Sequence, residues 1–190
     1  MIELLVVIGI VAILSAVVIL TLNPAELLKQ SRDSNRLSDM ATLKSALSLY
    51  LADVTTPVLA SSTVGYAGCY VTNGQGTNNG TSTPGCGVFA AGTYVSTTAL
   101  LVRNVDGRGW IPVDMTTISS GAPVGSLPVD PSNTATLFYA YRATTGLVFE
   151  INVSGIESSK FTTGANDVRS TDGGSNVLLY EVGTAPGLAL

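Results

Sequence analysis

Few residues of this chain have the types and spacing that catalysis needs. The 190-residue sequence contains no histidine, and neither a pair of carboxylates nor a Gly-x-Ser-x-Gly turn supplies an acid, a base or a nucleophile. The glycines of GQGTNNG have the wrong interval for dinucleotide binding and follow no convincing strand. We therefore expect a protein that is not an enzyme and that uses no cofactor.

Two sets of polar residues could bind a metal or carry a sugar. Asp167, Asp172 and Asn176 offer hard oxygen ligands of the kind that calcium prefers, but they lack the spacing of a calcium loop. A solvated acidic turn is the favoured interpretation there, with metal binding as the alternative. Asn79-Gly80-Thr81 and Asn152-Val153-Ser154 match the N-glycosylation pattern, and an undecorated polar loop is the alternative for each.

Cys69 and Cys86 are the two cysteines of the chain, and they flank a stretch rich in Gly, Asn and Thr. In a chain whose start targets a membrane, such a pair most simply forms one disulfide in an oxidising compartment. Closing a loop of this size is worth about 3 kcal/mol in the chain-entropy model. Two unrelated free thiols are the alternative, and a zinc site would need more ligands than these.

Glu3 is unusual because a carboxylate stands directly before the apolar run from Leu4 to Leu20. A carboxylate inside an apolar assembly costs several kcal/mol unless a cation compensates it or it takes up a proton. The α-amino group of a neighbouring copy would supply that cation, so Glu3 would set the register between copies. The alternative is that Glu3 only favours the positive end of the helix dipole, worth about 0.3 to 1 kcal/mol.

The apolar run predicts a membrane-type helix. At about 1.5 Å per residue, residues 1–22 would cross roughly 30 Å, the hydrocarbon thickness of a bilayer. Neither a basic residue before the run nor an Ala-x-Ala site after it indicates a cleaved signal, so we expect a retained segment. Its small residues, which include Gly9, Ala12 and Ser15, would let neighbouring helices approach closely.

From Pro24 to about residue 53 the pattern is amphipathic, because apolar residues recur every three or four positions. The opposite, solvated face is expected to carry the charged residues Lys29, Arg32, Asp33, Arg36, Asp39 and Lys44. Pro24 lacks an amide donor, which predicts a kink or local unwinding within residues 21–25. The first unit is therefore one long helix over residues 1–53, hydrophobic and then amphipathic.

Residues 54–190 predict an extracytoplasmic globular head. Residues 55–93 contain the cysteine loop and few strand signals, which indicates an irregular connection. Residues 136–154 predict two strands around a Thr-Thr-Gly turn, and residues 176–183 predict a third. Four prolines within residues 110–131 indicate an ordered loop. The expected fold class is α+β, with the long helix packed on a small antiparallel β-sheet.

The residues IELLVVIGIVAIL closely resemble the N-terminal signature of type IV pilins and of type II secretion pseudopilins, as does a continuous helix with Pro24 about twenty residues beyond the acid. The later LPVDPSNTATLFYAY, with Asp130-Pro131 ahead of Tyr139 and Tyr141, is a weaker match to the major pseudopilins. The resemblance implies a pilin fold. It also implies a subunit that waits in the cytoplasmic membrane and then joins a helical filament whose core is a bundle of N-terminal helices.

The resemblance implies partners as well: other copies of the chain, membrane lipid before assembly, the pilus assembly machinery and a prepilin peptidase. In the family the acid follows the processed and methylated N-terminus by four residues, whereas only Met1 and Ile2 precede Glu3 here. The methylated residue is therefore not identified in this sequence. From residue 54 onward the sequence has five basic and eight acidic residues, so we expect no strong binding of nucleic acid.

Three functions follow as expectations. The first is an extracellular type IV pilus for attachment or motility, which the cysteine loop, the Ser/Thr-rich composition and the two glycosylation patterns favour. The second is a pseudopilin of a short periplasmic filament for secretion, which the Asp130-Pro131 segment favours. The third is a membrane-anchored extracytoplasmic binding domain that does not polymerise.

Overall fold

The N-terminal helical region consists of two helices joined at one residue. The computed structural model describes residues 1–62, 65–72, 89, 93–96 and 100–190, and the side chains of residues 19–22 and 93–96 lie outside that description. Helix α1 spans Ile2–Leu22 and helix α2 spans Pro24–Asp53. Between them, Asn23 has a left-handed backbone conformation, with φ 39° and ψ 75°.

Asn23 and Pro24 together account for the break. Asparagine is one of the few residues that visits the left-handed region readily, and Asn23 Oδ1 accepts a hydrogen bond from the Glu26 amide at 3.4 Å. Proline suits the first position of α2 because no helical partner is available there for an amide. The break therefore lies inside the interval that the sequence predicts.

Five strands form one sheet within the described ranges, in the order β2-β1-β3-β4-β5. They are β1 Gly68–Val71, β2 Thr93–Ser96, β3 Tyr139–Ala143, β4 Phe149–Val153 and β5 Tyr180–Gly183. Strands β1, β3, β4 and β5 pair antiparallel in that spatial order, whereas β2 joins β1 in parallel. The fold is α+β, and the expected sheet is antiparallel in four strands but not at β2.

The strand predictions are correct for the C-terminal half and wrong in part before it. β3, β4 and β5 lie within the segments that the sequence predicts. β1 lies inside residues 55–93, which we expected to be irregular. All four of its residues are buried, so the strand has neither the length nor the polar alternation by which a half-buried strand is recognised.

The main core lies between α2 and one face of the sheet. Its buried members include Met40, Leu43, Leu47 and Tyr50 from α2 and Tyr139, Tyr141, Phe149 and Ile151 from the sheet. The proline-rich segment adds Trp110, whose indole Nε1 donates to the Pro128 carbonyl at 2.9 Å. This segment is thus an ordered loop packed into the core, as the sequence predicts.

Candidate assembly surface

Every described side chain of α1 is exposed. The large aliphatic side chains between Ile2 and Val18 range from 52% to 79% exposed, and they lie on all sides of the helix. Among the residues whose side chains are described, no helix is both long enough and apolar enough to cross a membrane. Burying one such side chain fully is worth about 1.5 to 3 kcal/mol. The apolar surface of α1, residues 2–18, therefore favours contact with another apolar surface.

Glu3 is the charged residue of α1, and it lies exposed in the first turn. This position suits a carboxylate because the helix dipole is positive there. Gly9 lies farther along the same exposed helix, and a Cβ added to it would meet nothing within 4 Å. Packing within the subunit therefore gives no reason for a glycine at this position. The predicted roles of both residues in assembly remain predictions.

Arg36 forms the centre of a buried ion network between α2 and the head. Its guanidinium donates to both carboxylate oxygens of Asp130, at 2.7 and 3.0 Å. It also donates to Asp33 at 2.6 Å and to Glu157 at 2.7 Å. Arg32 donates twice to Glu157, at 2.8 Å each. These five residues are called the Arg36 network below, and they join one face of α2 to two loops of the head.

Hydrogen bonds within the Arg36 network keep Arg36 and Glu157 ionised. Burial alone would lower the pKa of Arg36, but hydrogen bonds to Asp130, Glu157 and Asp33 raise it above its usual value. The hydrogen bond from Arg32 lowers the pKa of Glu157 to about 2, against the opposing effect of burial and with help from Arg36. Glu157 is therefore an anion at neutral pH, and Arg36 stays a cation despite its burial.

The carboxylates of the Arg36 network also fix the backbone of the loops. Asp33 accepts the amides of Glu157 at 3.1 Å and Ser158 at 2.7 Å. Asp130 accepts the amide of Ser132 at 2.7 Å. Because Asp33 and Asp130 each bond both to the Arg36 guanidinium and to loop amides, the position of the loops is tied to the position of α2.

Three further contacts attach α2 along its length. Near its start, Glu26 accepts the amide and the hydroxyl of Ser159, at 2.6 and 2.8 Å. In its middle, Tyr139 donates its hydroxyl to Asp39 at 2.8 Å. At its end, Asp53 accepts the amide and the hydroxyl of Ser119, at 2.7 and 2.6 Å. Helix α2 and the head are therefore connected as one body, whereas α1 extends beyond it.

Two of the predicted solvated residues lie elsewhere than expected. Asp33 and Arg36 are 0% exposed, although the sequence predicts them on the water-facing side of α2. The prediction was wrong because a charged side chain need not face solvent when an opposite charge is available inside the fold. Asp130 and Glu157 provide that charge for Arg36 from distant loops. The spacing of Asp33 and Arg36, three apart on one helix, was the available signal.

The candidate calcium ligands are not assembled into a metal site. Asp167 pairs with Arg169 at 2.9 Å, and Asp172 accepts the amides of Gly174 and Glu181. Asn176 accepts the amide of Leu178 at 3.0 Å. Among the described residues, no group of three or more His, Cys, Asp or Glu side chains could hold a metal ion.

One of the two cysteines and one of the two glycosylation patterns lie within the described residues. Cys69 is fully buried and disulfide-bonded, whereas Cys86 and Asn79 lie outside the described residues. Asn152 is 0% exposed within β4, and its amide donates to Glu150 at 2.8 Å. The second glycosylation pattern is therefore closed to a sugar in the folded chain.

Comparison with known proteins identifies no relative. The chain matches no protein-family model, no curated protein and no solved structure. The functional assignment therefore depends on the residues and on their geometry.

Proposed function

We propose that this chain is the structural subunit of a helical filament, an extracellular type IV pilus used for attachment or motility. The observation that carries the proposal is the apolar surface of α1, exposed on all sides and bearing a single acid in its first turn. A helix that is apolar all round gains stability only when lipid or other helices surround it. An α+β chain with a long N-terminal helical region and a small sheet is compatible with a pilin fold.

Assembly would exchange one covering of α1 for another. Lipid of the cytoplasmic membrane covers residues 2–18 before assembly, and the α1 helices of neighbouring copies cover them in the filament. Glu3 must then leave water, which costs several kcal/mol unless a cation lies beside it. The α-amino group of a neighbouring copy provides that cation, so only a copy in register buries Glu3 at low cost.

The Arg36 network gives this filament its mechanical coupling. Force applied to a head passes to α2 through Asp130 and Glu157, which both bond to Arg36. Because the side chains of Arg36 and Asp130 are buried, water does not compete for their hydrogen bonds as it does at the surface. Pulling on the head therefore pulls on the helix that the filament core holds.

A pseudopilin of a secretion system is the second candidate. The observation that favours it is the place of Asp130, because the segment that resembles major pseudopilins supplies the partner of Arg36. In addition, burial of Asn152 removes one of the features that favoured a surface filament. A membrane-anchored domain that does not polymerise is the alternative of another class.

Neutralising Glu3 separates these candidates. We would express the wild type, Glu3→Gln and the control Asp106→Asn, whose carboxylate lies on the head and pairs with Arg108, in the same host cells. Material sheared from the cells is quantified with an antibody against the head.

The proposal predicts that Glu3→Gln folds, stays with the membrane and loses filaments about tenfold or more, whereas Asp106→Asn resembles the wild type. Equal amounts of filament from Glu3→Gln and the wild type would contradict the role of Glu3. A wild type that never enters the sheared fraction and instead supports secretion would favour the pseudopilin.

A further inference from the structure

The face of the sheet that points away from α2 is buried, yet it carries two acids. Glu150 on β4 and Glu181 on β5 are only 1% and 2% exposed. Asn152 lies beside Glu150 on the same face of β4 and is directly opposite Glu181 in the register. Residues 172–176 and 186–190 contact this face, and they are called the cover below.

The two acids hold the cover in place. Glu150 accepts the amide of Leu190 at 2.9 Å, and Glu181 accepts the amide of Asn176 at 2.8 Å. The two parts of the cover also bond to each other, because Ser175 donates its hydroxyl to the Leu188 carbonyl at 2.9 Å. A Cβ added to Gly174 would overlap the carboxylate of Glu181. The cover therefore packs directly against the two acids, and no space for a side chain remains between Gly174 and Glu181.

The side chains next to Glu150 and Glu181 do not neutralise the negative charge that these two acids can carry. Arg142 on β3 is directly opposite Glu150 in the register, but among the described residues its Nε has no hydrogen-bond partner and it forms no ion pair within 4 Å. Asp172 adds a further negative charge, since it bonds to the amide of Glu181 at 2.7 Å. Residues 186–190 bring no ionisable side chain. Asn152 donates to Glu150 and is neutral.

Two buried carboxylates without a paired cation cannot both be ionised at low cost. We propose that Glu181 carries a proton while it is buried beside Glu150, and that loss of this proton to solvent releases the cover, residues 172–176 and 186–190, from the sheet. Arg142 is directly opposite Glu150 in the register, whereas Glu181 is opposite the neutral Asn152, so Glu181 is the acid that no cation faces. This inference stands independently of the proposed filament.

The direction of the pKa agrees with this geometry. Burial raises the pKa of Glu181 to about 7, the hydrogen bond from Asn176 opposes the rise, and the charges of Glu150 and Asp172 add to it. A folded-state pKa above that of the unfolded chain means that stability falls as pH rises toward it. The cover is therefore closed in mildly acidic solution and loosens above neutral pH.

Hydrogen exchange of the full chain in non-ionic detergent micelles tests whether the cover is released as pH rises. Peptides containing residues 172–176 and 186–190 are followed at pH 5.5 and 8.5, with correction for the intrinsic pH dependence of exchange. The variant Glu181→Gln keeps a neutral side chain at both pH values, and Asp106→Asn is the matched control on the head surface.

We expect protection of the cover in the wild type and in Asp106→Asn to fall about tenfold or more between the two pH values. In Glu181→Gln, protection of the cover should change less than about threefold between the same two pH values. Wild-type protection that is equal at both pH values, or a loss in Glu181→Gln as large as in the wild type, would overturn the proposal.

A second measurement keeps the test valid if Glu181→Gln does not fold. Carbon NMR of the glutamate carboxyl groups in the wild type reports their titration midpoints directly. One midpoint above about pH 6 supports a protonated Glu181, whereas midpoints near the ordinary glutamate value for every glutamate carboxyl group would overturn the proposal.

Discussion

Arg36 and Asp130 are separated by 94 positions in the sequence, yet the guanidinium of Arg36 donates to both carboxylate oxygens of Asp130. Both side chains are fully buried. Parallel hydrogen bonds of this kind fix the two groups in one plane and add geometric specificity to the charge attraction. The pair therefore sets the position of the loop around Asp130 relative to α2, and the stability of the head depends on it.

Replacing Arg36 with methionine should lower the free energy of unfolding by about 3 to 5 kcal/mol, because the change leaves buried carboxylates without their cation. Arg108→Met is the matched control, since Arg108 pairs with Asp106 at the surface, and it should change stability by about 0.5 kcal/mol or less. Urea unfolding of the full chain in detergent micelles, followed by Trp110 fluorescence, measures both. Equal effects of the two variants would show that the network is not structural.

Acid should weaken the attachment of α2 through Glu157. Its folded-state pKa of about 2 lies below the unfolded value of 4.5, so its contribution is present above pH 4.5 and is lost as pH falls toward 2. The contribution at neutral pH is at most about 3 kcal/mol, because one pKa unit is worth about 1.4 kcal/mol and solvent partly screens the charge of Glu157. The stability difference between the wild type and Glu157→Gln should therefore shrink over this interval. A difference that is constant from pH 6 to pH 2.5 would refute the assigned role of Glu157.

Replacing Gly9 should affect contacts between subunits but not the stability of a single subunit. Since a Cβ at this position meets nothing in the subunit, Gly9→Leu should leave the unfolding of the head unchanged. If neighbouring α1 helices approach closely here, the larger side chain should reduce the amount of sheared filament severalfold. Ile8→Leu is the control, because it conserves volume one position away. Normal filaments from Gly9→Leu would exclude a close contact at Gly9.

Pro24 should keep α1 and α2 separate. In Pro24→Ala the new amide can bond to the carbonyl four residues before it, which allows one continuous helix. Hydrogen exchange of a peptide covering residues 19–26 should slow in this variant, while exchange near Tyr50 stays the same as a control in the same helix. Exchange that is unchanged at residues 19–26 would mean that Asn23 alone maintains the break.

The sequence predicts those parts of the fold that local patterns determine. Uniform apolarity predicts α1, three- and four-residue spacing predicts α2, and aromatic and β-branched residues predict β3 to β5. By contrast, β1 and β2 are short strands in or next to a segment rich in Gly, Asn and Thr. β1 pairs with β3, which lies more than sixty positions away, and among the described strands β2 pairs only with β1. Local patterns carry no information about such a partner.

The candidate site shows the same division. Glu3 is evident from sequence because a charge in an apolar run is locally unusual. The buried positions of Asp33 and Arg36 are not, because their burial is offset by Asp130 and Glu157 from loops far along the chain. Likewise, Asn152 matches a glycosylation pattern, but only its place in the centre of β4 shows that it is buried.

Electron cryomicroscopy of material sheared from cells that produce the wild type tests polymerisation through α1 most directly. We predict filaments in which the α1 helices of many copies form the core, with Glu3 buried beside the N-terminus of a neighbouring copy and the heads outside. Intact mass of the same subunits would identify the mature N-terminus and any methylation. Absence of filaments, with the chain recovered as single copies from the membrane, would contradict the account.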